Sequence, residues 1–298
     1  MIINFMKKLL IMMALGLGIV ATANAQDTPQ KGDFTTEVGF TPFKSNGDVF
    51  RLNDAMFKVR YFLTDKDAVR VKLNVGIDNS SETETSFTDA ADKTQPYSIA
   101  NSTTETTSKC TDFSFAVGYE RHLKTMDRLD VYVGAEIGYG LKSYSGDKTT
   151  TGTTTSYDGS GQLQGTYDWS SITEYTDRNA NNDKSSHYFK GGVFAGLDFY
   201  VYKSLYLGVE LGISFTSEKF PNSYYTKNET ETTRNAAGTV TYSKVSTYSS
   251  ETGIGSEVVT NGNTVTTTPS VQAAVSNERT NTSLKFYVEP AIRLGWKF

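Results

Sequence analysis

The stretch Asn281-Thr282-Ser283-Leu284-Lys285-Phe286-Tyr287-Val288-Glu289-Pro290-Ala291-Ile292-Arg293-Leu294-Gly295-Trp296-Lys297-Phe298 ends the chain and decides how the rest is read. In an extended strand, successive side chains point to opposite faces. Here Leu284, Phe286, Val288, Pro290, Ile292, Leu294, Trp296 and Phe298 share one face, while Ser283, Lys285, Tyr287, Glu289, Arg293 and Lys297 share the other. One face suits hydrocarbon and the other suits water or ion partners. A strand of a soluble sandwich keeps this alternation only for a few residues, whereas a strand crossing a bilayer needs about 9–11 of them. The segment therefore predicts a strand of an outer-membrane β-barrel.

Seven further segments follow the same rule: residues 33–41, 57–63, 68–77, 112–122, 129–141, 188–201 and 205–215. In the last of these, Leu205, Leu207, Val209, Leu211, Ile213 and Phe215 alternate with Tyr206, Gly208, Glu210, Gly212 and Ser214. The connections alternate in length, with short ones at 64–67, 123–128 and 202–204 and long ones at 42–56, 78–111, 142–187 and 216–280. A soluble domain rarely carries several structureless loops of that size, whereas outer-membrane barrels have short periplasmic turns and long outer loops. The expected fold is all-β: an eight-stranded antiparallel up-and-down transmembrane β-barrel with long extracellular loops. Both termini fall on the short-turn side, which places them in the periplasm.

The N-terminus agrees with export from a Gram-negative cytoplasm. Lys7 and Lys8 precede an apolar run over residues 9–20 and then Ala23-Asn24-Ala25, the three-part build of a signal peptide. Residues 1–25 are read as that peptide and residues 26–298 as one barrel domain. No Cys stands beside the cleavage site to take a lipid, and no later apolar run is long enough for a spanning helix. A hydrophobic fraction of 37% is low for a packed globule but suits strands that are apolar on one face only. The net charge of −4, with no basic stripe, argues against nucleic acid as a partner. Cys110 is the one cysteine, so no intramolecular disulfide can form.

Side-chain parity also assigns the inner wall. The inward acids are Glu37, Asp112, Glu120, Asp130, Glu136, Asp198, Glu210 and Glu289, facing the bases Lys58, Arg60, Arg70, Lys72, Lys190, Lys285, Arg293 and Lys297. An eight-stranded barrel has an interior just wide enough for its own side chains or one small ligand. A balanced set of buried charges there predicts ion pairs across the lumen, because an unpaired buried charge costs several kcal/mol. Glu37, Arg60, Arg70, Glu210, Glu289 and Arg293 are expected to form the central network. Inward glycines, among them Gly134, Gly140, Gly196 and Gly295, make room for long side chains opposite.

The ending Leu294-Gly295-Trp296-Lys297-Phe298 resembles the C-terminal assembly signal of outer-membrane barrels, which implies Leu294, Gly295, Trp296 and Phe298 as contacts for the barrel-assembly machinery. The whole mature chain resembles the small eight-stranded barrels typified by the membrane domain of OmpA, OmpX and OmpW. The resemblance lies in pattern and terminal motif, so it implies architecture and no individual functional residue. It implies a monomer in the cell outer membrane, surrounded by lipid and lipopolysaccharide.

About half of the mature chain lies in the long connections, rich in Thr, Ser, Asn, Gly and Tyr. Such composition suits solvated loops, yet Thr and Tyr are also strand formers, and residues 257–266 hold an Asn-Gly turn between β-prone arms. A rim of hairpins above the membrane is expected. Tyr144, Tyr157, Tyr167, Trp169, Tyr175, Tyr224, Tyr225, Tyr242 and Tyr248 offer contact area among small polar residues, suited to an extracellular protein or glycan ligand. The expected function is thus structural or surface recognition and adhesion, with small-solute or porin-like transport as the alternative. A lipid-modifying outer-membrane enzyme would need a Ser activated by a His. The chain has only His122 and His187, and Ser186-His187 are strand neighbours that point to opposite faces. No catalytic residue, metal ligand or cofactor is expected.

Overall fold

The computed structural model describes residues 28–40, 55–90, 92–126, 128–202 and 204–298, with all their strand side chains except those of residues 39–40, 55, 124–126, 202 and 287–294. The expected signal peptide, residues 1–25, and residues 42–54 of the first long connection lie outside the described residues.

The described chain is all-β and antiparallel. Its strands are β1 (Phe34–Phe40), β2 (Ala55–Phe62), β3 (Asp67–Thr88), β4 (Tyr97–Met126), β5 (Leu129–Tyr157), β6 (Leu163–Thr176), β7 (Ser186–Tyr202), β8 (Leu205–Phe220), β9 (Tyr224–Asn235), β10 (Val240–Ser249), β11 (Ile254–Asn261), β12 (Thr264–Val271) and β13 (Arg279–Lys297). Pairing runs β1–β2–β3–β4–β5, crosses from β5 to β7, continues through β8 and β13, and returns to β1. The circuit of ladders closes on eight strands, and these are the eight amphipathic segments. The strand count of eight is nonetheless corrected to thirteen among the described residues. The extra five, β6 and β9 to β12, pair in the order β5–β6–β9–β10–β11–β12 and extend the sheet outward from the ring.

The ring and the extension share β5. Its first part, Leu129 to Lys142, pairs with β7, and its second, Ser145 to Tyr157, pairs with β6 along the same edge. The extension is strand because Thr, Tyr and Val favour the pleated backbone. Small polar residues stand among the aromatic rings and on both faces, so aliphatic alternation could not reveal it. The expected hairpin over residues 257–266 is β11–β12, joined by Gly262-Asn263, with Gly262 at φ 59° in the left-handed region.

Side chains on the ring alternate as the sequence requires. Phe34, Val69, Val71, Val117, Ile137, Val193, Leu211, Phe286 and Trp296 are exposed outward, an apolar band that water would not tolerate but lipid would. At the short-turn end, Gly32 N–H donates to the Phe62 carbonyl and Lys297 N–H to the Ser204 carbonyl, so the first and last described residues lie beside the short turns. Three ladders of the ring depart from plain register, two of them beside short turns, between His122 and Lys124 and between Tyr200 and Tyr202. The β8–β13 register shifts between Glu289 and Arg293, around Pro290, which has no N–H to give to a ladder.

Candidate functional site in the lumen

The inner wall is built by placing like charges side by side. Lys58 is the register partner of Lys72, and Arg60 of Arg70, so β2 and β3 present four cations to the interior. Acids gather on the strands that close the ring around them: Glu37 on β1, Glu120 on β4, Asp130 and Glu136 on β5, Asp198 on β7 and Glu210 on β8. Neighbouring cations on one sheet repel. They become favourable partners once closure brings the acidic walls within hydrogen-bond reach.

Arg60 is about 1% exposed, and its guanidinium uses every edge. Nη2 lies 2.7 Å from Glu37 and 2.6 Å from Asp198, Nη1 lies 3.2 Å from Glu120, and Nε donates to the Thr35 hydroxyl at 3.0 Å. Arg70 reaches Glu120 at 3.0 Å, grips both oxygens of Glu210 at 2.8 and 3.1 Å, and pairs with Glu136. Its guanidinium carbon sits 3.4 Å from the Phe194 ring centre. Lys58 pairs with Glu37 at 2.8 Å and lies 3.5 Å from Glu210, and Lys72 pairs with Glu136 at 2.9 Å. The planar five-donor fork of arginine suits such bridging between several carboxylates.

Of the expected network, Glu37, Arg60, Arg70 and Glu210 meet in this cluster. The side chains of Glu289 and Arg293 lie outside the described residues, and the backbone puts Glu289 opposite Glu210 and Arg293 opposite Gly39 and Gly208. Lys58, Lys72, Glu120, Glu136 and Asp198 belong to the cluster as fully as the expected members do. Parity assigned them inward, but which acid meets which base depends on cross-lumen neighbours that no spacing encodes.

Aromatic groups complete the packing. The Tyr206 hydroxyl donates to Glu37 at 2.9 Å and receives Arg60 Nη2 at 2.8 Å. To do so, its ring crosses Gly295, which stands between Tyr206 and Glu37 in the register, and a Cβ on Gly295 would fall inside that ring. Gly295, expected as part of an assembly signal, thus also leaves space for a lumen hydrogen bond. Gly196 does the same for Tyr132, whose hydroxyl is 3.4 Å from Glu210. Trp296 faces outward, Phe298 exchanges backbone hydrogen bonds with Phe34, and the side chain of Leu294 is outside the described residues.

The two histidines part company. His122 Nδ1 is 2.7 Å from Asp130, between the rings of Phe62 and Tyr132 near the short-turn end. His187 is in β7 at the far end of the ring, and Ser186 beside it donates to Glu218 at 2.6 Å. Beyond the charge cluster the lumen widens into a chamber of about 230 Å3, lined by Lys72, Asn74, Asp112, Ser114, Tyr188 and Lys190.

Comparison with curated proteins gives no match. Among solved structures, the siderophore receptor PirA from Acinetobacter baumannii is 8% identical, with 88% of this chain and 60% of the receptor covered and a TM-score of 0.12, a likeness too slight to argue from. A family model matches residues 50–220, more than half of the chain and the span from β2 through β8. The chain belongs to the family described as "Putative OmpA-OmpF-like porin family".

Proposed function

We propose that the ring is an eight-stranded transmembrane barrel of the outer membrane, with both termini in the periplasm, a lumen closed by ion pairs, and an extramembrane sheet that serves surface recognition or adhesion. The role proposed is non-enzymatic. The single observation that carries the reading is how the chain is apportioned: five strands and the upper halves of β3, β4 and β5 stand outside the apolar band. That is far more than closing a barrel requires. Leu294, Gly295, Trp296 and Phe298 are proposed as the signal read by the assembly machinery, and outer-membrane lipid and lipopolysaccharide as the surroundings of a monomer.

Arg279 and Phe220 are register partners, so residues 221–278 can be replaced by a tight turn without stretching the ring. The shortened protein should still migrate as a heat-modifiable species on unboiled gels. Cells carrying it should lose attachment to extracellular protein or glycan surfaces. Intact assembly with unchanged attachment overturns the recognition role. Porin-like transport is the second reading, favoured by the description of the family; the filled lumen is the observation against it.

A further inference from the structure

The outer sheet has two chemically different faces. Along β5, even-numbered residues line the ring interior, as buried Asp130, Tyr132 and Glu136 show, and the same parity continues up the strand through Lys148, Thr150 and Gly152. Register carries that face across the extension: Gly152 lies opposite Trp169, Trp169 opposite Glu231, Glu231 opposite Lys244, and Lys244 opposite Val259. Tyr167, Trp169, Tyr175, Tyr225, Tyr242 and Tyr248 all fall on this face. Of the aromatic residues in β6, β9 and β10, Tyr224 alone falls on the other. The rings form a track that begins where the lumen ends, with Tyr225 and Tyr248 at 5.9 Å between centres.

On β9, β10 and β11 the charges of this face pair within it, two lysines among three glutamates. Lys244 lies 3.0 Å from Glu257 and 3.9 Å from Glu231, and Lys227 lies 2.6 Å from Glu229. With its lysines paired and a slight excess of carboxylate, the face exerts little pull on a nucleic acid or an acidic peptide. What it offers is ring faces flanked by groups that donate and accept hydrogen bonds. Next to the indole of Trp169, the row continues with Gly152, Ser102 and Ser86, small residues that leave a groove of about 610 Å3. That volume is in the range of small-molecule sites. A Cβ on Gly152 would contact the indole at 2.6 Å, so the glycine is what lets the ring lie over β5.

The geometry points to a binding site for a neutral oligosaccharide on this face, with Trp169 as the stacking platform and Glu231, Lys244 and Tyr242 supplying hydrogen bonds to sugar hydroxyls. The inference rests on the recognition role proposed above and names its ligand class. A sugar ring presents an apolar C–H face to an aromatic ring and polar hydroxyls at its edge, which matches a face of rings bordered by paired charges.

The test uses the full chain in detergent micelles on an array of immobilised neutral oligosaccharides built from glucose, galactose, mannose and their N-acetylamino forms. At least one group of spots should bind, and Trp169→Ala should weaken that binding by about tenfold or more, a loss equivalent to about 1.4 kcal/mol. Trp169→Phe should recover part of it, and Ile172→Ser, on the opposite face, should change nothing. Heat-modifiable migration of each variant shows that the ring is intact. No binding to any neutral spot, or binding indifferent to Trp169→Ala, overturns the site. If the array is blank while removal of residues 221–278 still abolishes attachment, recognition stands and the glycan is wrong; if neither responds, both fail.

Discussion

Arg60 and Arg70 sit side by side across the β2–β3 ladder, yet each is held by carboxylates from other strands, and Glu120 touches both. The pair is tolerable only in the closed ring. In an isolated β2–β3 hairpin, four adjacent cations would repel one another. Closure and charge pairing are therefore one event, and the cluster disfavours any register that leaves the acids facing lipid.

Removing one member should cost more than its own contacts. Arg60→Met leaves Glu37, Glu120 and Asp198 buried with one partner fewer, and should destabilise the ring by about 3–5 kcal/mol. Urea unfolding in detergent, followed by loss of heat-modifiable migration, reads this directly. A change within experimental scatter would show that water enters the cluster and solvates the orphaned acids.

A methyl group should be nearly as damaging as a lost charge where rings cross the backbone. Gly196→Ala drives a Cβ into the ring of Tyr132. Overpacking of this kind costs about 1–3 kcal/mol. The double variant Gly196→Ala with Tyr132→Ala should fold better than Gly196→Ala alone, as judged by the same unfolding curves.

In planar bilayers the protein should show no steady conductance. Arg60, Arg70, Lys58 and their carboxylate partners are at most about 4% exposed, so they leave no continuous water column at their level. A large, stable open state in the unaltered protein would rule out the closed lumen and favour the porin-like reading.

The β5–β6 turn should respond to acid. Asp158 accepts hydrogen bonds from the Gln162 N–H at 2.9 Å and the Ser160 hydroxyl at 2.7 Å, and these hold its carboxyl below the usual aspartate range. A lowered folded-state pKa means that the contact stabilises the turn above the ordinary aspartate pKa and is lost as pH falls through the folded value. Pepsin nicking at residues 158–162 should therefore rise at the acid end in the unaltered protein. Asp158→Asn should flatten that dependence.

The ring was legible in the sequence because its strands meet two solvents. Leu205 to Phe215 alternates strictly, since one face meets lipid and the other the lumen, and parity alone assigned Arg60 and Glu210 inward. The outer strands were illegible by the same rule: in β9 the run Thr226-Lys227-Asn228-Glu229-Thr230 is polar on both faces. The turn at Gly262 was visible because glycine marks a left-handed backbone. The partners of Glu120 and Glu136 were not, because they lie across a cavity whose closure brings distant strands together. Nor was the register shift at Pro290, where apolar residues continue the expected rhythm while the backbone departs from it.

The uninterrupted course of β4 and β5 has a mechanical consequence. These strands run for 30 and 29 residues, roughly 100 Å at about 3.4 Å per residue, and the same two backbones are both wall of the ring and spine of the outer sheet. No flexible joint separates the two along either strand. In the orientation proposed above, a pull along them loads the β4–β5 hydrogen bonds in parallel shear instead of peeling them one by one, so tension on the outer sheet would reach the ring through a stiff rod.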